Sequence, residues 1–130
     1  KKRIIMKDFH SLKRCYKPKL LGIETIGLTC ATRRLESKEA WKNMLETLIG
    51  KMNQGGAIKL HPSFINEEAV RIEIESIFHQ IAPRNITLCD HEVLLELEML
   101  HEKKTLIGSR TSLDKYALAF GSQFINIDLY

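Results

Sequence analysis

Three short stretches of the sequence carry side chains that can bind the phosphate and the ribose of a nucleotide. Residues 59–62 place a lysine and a histidine before a proline, residues 90–96 hold three acidic side chains, and residues 108–112 are rich in glycine and hydroxyl groups. An imidazole or a hydroxyl can donate a hydrogen bond to a phosphate. A carboxylate can accept hydrogen bonds from both hydroxyls of a ribose. Together these residue types predict nucleotide recognition, provided that the fold brings the three stretches together.

The elements that must position these stretches follow from the hydrophobic periodicity. Short apolar runs predict five strands, at residues 23–30, 57–60, 85–89, 105–107 and 124–129. Apolar residues at i, i+3 and i+4 spacing predict four helices between them. The first helix has an N-cap at Ser37 and ends at Gly55 and Gly56, and the second has a cap at Asn66 and ends at Pro83. The other two helices span about residues 92–101 and 112–120.

The alternation of strands and helices predicts parallel β-α-β units, and therefore an α/β, Rossmann-like, doubly wound parallel sheet of about five strands. Ligands bind such sheets outside the carboxyl ends of the strands. All three polar stretches follow predicted strands, so we expect them at one rim of the sheet. The first strand is not followed by Gly-x-Gly-x-x-Gly, and the chain has no Gly-Lys-Ser/Thr motif. Their absence argues against NAD-type and P-loop binding.

Each candidate residue also has a purely structural interpretation. A His-Pro pair such as His61 and Pro62 often ends a strand, and Thr111 with Ser112 can be an ordinary N-cap pair. Glutamates on a surface helix are usually solvated, and a lysine inside a strand can point to either face. The residues alone leave both interpretations open.

Charge is distributed unevenly along the chain. Residues 1–19 carry a net charge of +7, whereas the remainder carries −3. We therefore divide the chain into a basic connecting segment, residues 1–22, and one α/β domain, residues 23–130. The segment can also contact an anionic membrane surface, but it lacks the interleaved aromatic residues that typify nucleic-acid modules. Residue 1 is a lysine, so the chain is expected to be a piece of a longer protein.

The cysteines indicate a reducing environment. Cys15, Cys30 and Cys89 show no metal-type spacing, and the last two lie in apolar strand-like runs. We predict reduced thiols in the core, no metal site and a cytoplasmic location. No apolar run approaches the roughly 20 residues of a membrane-spanning helix.

The order of these motifs resembles the C-terminal, donor-nucleotide-binding half of bacterial sialyltransferases and polysialyltransferases of the two-domain GT-B type. The matching phrases are IKLHPSF at residues 58–64, DHEVLLELEML at 90–100 and IGSRTSLDKYALAFG at 107–121. The resemblance covers roughly residues 22–130. Two departures are the missing proline before the acidic residue that binds the ribose, and Thr-Ser in place of the family's double serine.

The resemblance implies a glycosyltransferase domain that binds CMP-sialic acid, from which sialic acid passes to a glycan acceptor. His61 would be catalytic, neutralising the phosphate of the departing CMP. Thr111 and Ser112 would bind the same phosphate, and Glu92 or Glu96 would hold the ribose. The remaining nucleotide-binding positions carried by the motifs are Lys59, Pro62, Gly108 and Ser109. The donor is the only small molecule implied, with neither a cofactor nor a metal.

The resemblance places the general base and the acceptor site in an N-terminal domain for which this chain shows no counterpart. We therefore expect this chain alone to bind nucleotide and to catalyse little, and the full enzyme to lie in the cytoplasm or at the inner membrane in capsule or lipooligosaccharide synthesis. One alternative is a GT-B transferase that uses a UDP-sugar, CDP-glycerol or CMP-Kdo. Another is a non-catalytic domain that binds a nucleotide or a partner.

Overall fold

The structure, a computed structural model, describes residues 15–32, 37–109 and 113–127. Strands and helices alternate along these residues, as the periodicity predicts. In chain order they are β1 (Thr25–Leu28), α1 (Lys38–Lys51), β2 (Gly56–Lys59), a 3-10 helix (Pro62–Asn66), α2 (Glu68–Ile81), β3 (Ile86–Leu88), α3 (Leu95–His101), β4 (Thr105–Gly108), α4 (Leu113–Ala119) and β5 (Gln123–Asn126).

The five strands form one sheet in the order β3-β2-β1-β4-β5, and every neighbouring pair is parallel. This arrangement confirms the predicted Rossmann-like, doubly wound α/β fold. The chain order reverses between β1 and β4, which lie side by side in the centre of the sheet. A crevice opens outside the carboxyl ends of the strands at such a reversal, and it is where ligands bind in sheets of this kind.

Helices cover both faces of the sheet, because alternate residues of each strand point to opposite sides. On one face, buried strand residues such as Ile58 and Ile107 pack with residues of α1 and α2, among them Leu45 and Phe78. The other face is covered by α3 and α4 and contains a second buried cluster, which includes Ile26, Leu28, Leu106, Leu95, Met99 and Ala117. The sheet is thus covered on both faces, which leaves its two rims, where the connecting loops lie, as the places for a ligand.

The helix starts were predicted with mixed success. Ser37 caps α1 as predicted, because its hydroxyl oxygen accepts a hydrogen bond from the Ala40 amide at 3.1 Å. The predicted cap at Asn66 is wrong, since Asn66 ends the 3-10 helix and α2 begins at Glu68. The physical reason is Pro62, because its fixed φ suits the first position of a helix. A short 3-10 helix therefore begins at Pro62, four residues before the predicted cap.

Residues 16–24, which we call the N-terminal strap, are bound to α3 by a buried carboxylate. Glu98 of α3 has no exposed surface. It accepts hydrogen bonds from the amides of Lys19 at 2.8 Å and Leu20 at 3.0 Å, and from the hydroxyl of Tyr16. Burial and the bond to Glu98 raise the pKa of Tyr16 to about 12. The last part of the predicted connecting segment is therefore packed against the domain.

A buried lysine holds the same strap from the other side. The ammonium of Lys104 donates to the carbonyls of Leu20 at 2.5 Å and Ile23 at 2.7 Å, and to the Glu102 carboxylate at 2.6 Å. The hydrogen bond from Lys104, followed by one from the Gly22 amide, lowers the pKa of Glu102. Lys104 is only 2% exposed, so its charge is balanced by these three acceptors rather than by water.

The cysteines differ sharply in exposure, which gives a first testable prediction. All three are free thiols: Cys15 is exposed, Cys30 is buried and Cys89 is partly buried. Burial raises the pKa of Cys89 to about 11. Because the thiolate is the nucleophile, about one Cys89 in a thousand is reactive at pH 8. We expect a thiol-reactive dye to label the exposed Cys15 rapidly and the other two cysteines slowly in the folded protein. In denaturant all three should be labelled rapidly.

The control for this labelling is Cys15→Ser, which should remove the rapid phase and leave the slow one. Rapid labelling of Cys89 in that variant would contradict the packing of α3 over the end of β3.

Candidate functional site

The centre of the candidate site lies where β1 and β2 end beside the chain reversal. Thr29 follows β1 and is 3% exposed. Its hydroxyl oxygen accepts a hydrogen bond from the backbone N–H of His61, the second residue after β2, at 2.8 Å. This bond ties the start of one loop to the start of the next. It places the backbone of His61 at the carboxyl ends of β1 and β2, the rim at which the sequence analysis expects the polar stretches.

The side chain of His61 is held by hydrogen bonds at one ring nitrogen. The backbone N–H of Ser63 donates to Nδ1 at 3.0 Å, and the Ser63 hydroxyl oxygen lies 3.0 Å from the same nitrogen. That hydroxyl oxygen also accepts from the Thr32 amide at 3.0 Å, while the Thr32 hydroxyl donates to the Glu67 carboxylate. The loops after β1 and β2 are therefore linked through Ser63 and Glu67, neither of which the sequence analysis singled out.

The sequence does contain a signal for part of this network. Ser63 stands two residues after His61, and a polar side chain that accepts from the amide two residues ahead is a recurrent turn arrangement. Thr29 and Thr32 give no comparable signal, because their partners lie 32 and 31 residues away in sequence.

Lys59 occupies the end of β2, on the face covered by α3. Its ammonium donates to the carbonyl of His91 at 3.4 Å. Burial lowers the pKa of Lys59, while the nearby acidic groups Cys89 (when ionised), Glu96 and Asp90 act in the opposite direction. Lys59 and Glu96, both predicted site residues, are thus close enough to interact electrostatically at the ends of β2 and β3.

The two glutamates between which the sequence could not choose are in different environments. Glu92 is exposed, and its carboxylate lies 3.4 Å from the ammonium of Lys19. Its backbone N–H donates to Asp90 at 3.0 Å, a bond that lowers the pKa of that aspartate. Glu96 is half-buried and interacts with Lys59. Glu96 is therefore the stronger candidate for a ligand contact within the site.

The first two residues of the glycine- and hydroxyl-rich stretch have structural roles in this state of the protein. A Cβ at Gly108 would lie 2.9 Å from the Leu28 carbonyl oxygen, so glycine allows β4 to approach β1 closely. The Ser109 hydroxyl donates to the Ile127 carbonyl at 3.3 Å. Pro62 is exposed and starts the 3-10 helix. Thr111 and Ser112 lie outside the described residues.

A cavity of about 460 Å³ lies at the opposite rim of the sheet, at the amino ends of β4 and β5. Its lining includes Glu102 and Lys104, which are bonded to each other and to the N-terminal strap. These charges serve the packing of the strap, so the cavity is a weaker candidate than the carboxyl-end rim.

The described residues contain neither a cluster of three or more potential metal ligands nor a membrane-spanning helix. No group of three or more histidine, cysteine or acidic side chains there could hold a metal ion. No helix among residues 15–32, 37–109 and 113–127 is long and apolar enough to cross a membrane.

The strand order and the polar groups at its carboxyl rim define a Rossmann-like, doubly wound domain with a candidate anion site at the chain reversal. No model of a known protein family matches the chain, and no curated protein or solved structure matches it either. The fold by itself does not assign a function, because one fold supports many unrelated activities.

Proposed function

We propose that this chain is the donor-nucleotide-binding domain of a sialyltransferase-like glycosyltransferase, with CMP-sialic acid as donor. The observation that carries the proposal is the placement of His61, whose backbone bonds to Thr29 at the chain reversal and whose ring is held by Ser63. A proton donor fixed beside the carboxyl ends of β1 and β2 suits the phosphate of a bound nucleotide.

In the proposed reaction a base on the acceptor domain deprotonates a glycan hydroxyl. The glycan oxygen bonds to the anomeric carbon of sialic acid through an oxocarbenium-like state while the bond from that carbon to the phosphate oxygen breaks, so that CMP leaves and negative charge develops on its phosphate. His61 would stabilise that charge with a hydrogen bond from its ring, together with Thr111 and Ser112. Lys59 would add a positive charge at the same rim, and Glu96 would accept hydrogen bonds from the ribose hydroxyls.

The test is a calorimetric or NMR titration of the chain with CMP, with UMP and AMP for comparison. We expect saturable binding that prefers CMP, with Kd near 1 mM, which corresponds to about −4 kcal/mol. His61→Ala should weaken binding at least about tenfold, because a hydrogen bond to a charged group contributes about 1.5–3 kcal/mol.

The matched control is His79→Ala. His79 is exposed near the end of α2, at the opposite rim of the sheet, so its removal should leave the affinity unchanged. A preference for UMP would support the same nucleotide site but would indicate a uridine-nucleotide donor in place of CMP-sialic acid. Absence of binding for all three nucleotides at several millimolar would contradict the proposed function, as would a His61→Ala variant that binds CMP normally.

A further inference from the structure

The strand β5 lies at one edge of the sheet, and its sequence does not protect that edge. Among the described residues β5 pairs with β4 alone, in a register that runs from Gln123 opposite Thr105 to Asn126 opposite Gly108. Natural edge strands usually carry a charge, a proline or a bulge that prevents pairing with another chain. The four residues of β5, Gln-Phe-Ile-Asn, include neither a charged residue nor a proline. This edge can therefore accept a further strand.

The hydrogen bonds to β4 show which backbone groups of β5 face the open edge. The amides of Gln123 and Ile127 donate to carbonyls on the β4 side, at 2.9 Å and 2.8 Å. The backbone groups of successive strand residues point to opposite sides. Ile125 therefore also faces β4, whereas the N–H and C=O groups of Phe124 and Asn126 point outward. Within β5, these two residues can offer backbone hydrogen bonds to a neighbour.

Apolar side chains stand on both faces of the sheet at this edge. Ile125 is 39% exposed and lies on the same face as Ile127, which packs with the cluster of α1 and α2. Phe124 lies on the opposite face, where a groove of about 450 Å³ runs between α4 and the start of β5. The groove includes Leu118, which is 82% exposed. The charged residue in its lining is Lys115, which is exposed, so its ammonium can stay in water.

We propose that the β5 edge is a self-association surface, at which β5 of a second copy of this chain adds antiparallel and continues the sheet. The register that uses both outward residues of each copy pairs Phe124 with Asn126 of the second copy. A two-fold axis then passes beside Ile125, which lies opposite its own copy in a pair without hydrogen bonds between the backbones. The Cα atoms of such a pair are about 4.5 Å apart. Because the contact uses the same surface on both copies, it closes as a dimer.

A second copy is the occupant that the strand itself favours. The pairing sets Ile125 against Ile125 on one face, and no like charges lie opposite each other along β5. A two-fold axis perpendicular to the sheet keeps each face on its own side, so the two α4 helices, each with an exposed Leu118, lie over the joined strands. The interface is small, and we therefore expect a weak dimer. This proposal is independent of the proposed nucleotide binding.

Sedimentation velocity of the whole chain between about 5 and 500 µM measures the association. We expect the wild type to shift from monomer toward dimer as its concentration rises. Ile125→Lys removes the apolar contact and sets two ammonium groups against each other at the axis, so it should weaken association at least about tenfold. The control is Thr87→Lys, which places the same charge at an exposed position of the other edge strand, β3, and should leave association unchanged.

A mixture of Ile125→Lys and Ile125→Glu tests the register. Each variant alone should stay monomeric, because like charges meet at the axis. An equal mixture should regain association, because an ammonium then faces a carboxylate. Recovery in the mixture also shows that both variants are folded. An interface on another surface of the chain would not respond to the pairing of charges at position 125.

A wild type that stays monomeric at the highest concentration would overturn the proposal. So would a dimer that Ile125→Lys leaves intact, or a mixture of folded charge variants that does not associate. If the charged variants fail to fold, Ile125→Cys in a Cys15→Ser background decides the matter. Glutathione disulfide should link it into a covalent dimer, because Cα atoms about 4.5 Å apart suit a disulfide. Linking no faster than in Thr87→Cys of the same background would refute the pairing.

Discussion

Gly56→Ala is expected to remove at least about 4 kcal/mol from the free energy of unfolding, which is a large part of the roughly 5–15 kcal/mol that stabilises an ordinary domain. Gly56 is the first residue of β2 and has φ of +139°, a conformation that other residues rarely adopt. A Cβ there would lie 2.1 Å from the carbonyl oxygen of Thr25. Both colliding groups belong to backbones of paired strands, so neither can rotate away. Urea denaturation followed by circular dichroism measures the loss.

Gly50→Ala is the matched control. Gly50 lies near the end of α1, and a Cβ there would meet no atom within 4 Å. Alanine should therefore stabilise the protein by about 0.5–1 kcal/mol through the lower entropy of the unfolded chain. If Gly56→Ala unfolds at the same urea concentration as the wild type, the close approach of β2 to β1 is wrong, and so is the placement of His61 that depends on it.

The double glycine illustrates what local sequence patterns can and cannot predict. Gly55 and Gly56 were predicted as the end of the first helix, and a break does occur there. The helix itself ends at Lys51, and Gly56 already belongs to the next strand. The pattern locates the break because glycine disfavours regular helix. Position 56 requires glycine because a Cβ there would collide with the backbone of β1. The local sequence pattern does not reveal that neighbour.

The alternation of elements and the strand-end position of His61 could be predicted, since both follow from periodicities within a few residues. The contacts of Glu98 could not. Its partners lie about 80 residues earlier in the chain, and a glutamate in a leucine-rich helix is usually solvated. A weak signal was present, because Glu98 stands three residues after Leu95 and next to Met99, both of which face the core.

Glu98→Ala should destabilise the domain by about 3 kcal/mol, because it leaves two strap amides and the Tyr16 hydroxyl without their acceptor. The comparison is Glu96→Ala, two residues earlier on the same helix. Glu96 is half-buried, and its charge acts on Lys59 without a direct hydrogen bond among the described contacts, so we expect its removal to change stability by less than about 0.5 kcal/mol. Denaturant unfolding of both variants measures the difference.

The same variants also distinguish the structural role of Glu98 from the proposed ribose contact of Glu96. For this purpose CMP affinity is measured at a temperature at which every variant is folded. Glu96→Ala should weaken CMP binding about tenfold, since hydrogen bonds from the ribose to a carboxylate are charge-assisted. Glu98→Ala should keep most of the affinity, and Glu92→Ala, whose side chain pairs with Lys19, should change neither stability nor binding. Loss of affinity in Glu92→Ala alone would transfer the ribose role to Glu92.

Wild-type stability in Glu98→Ala would contradict the docking of the strap. Because affinity is tested at Glu96 and stability at Glu98, two different side chains of α3, either expectation can fail while the other holds.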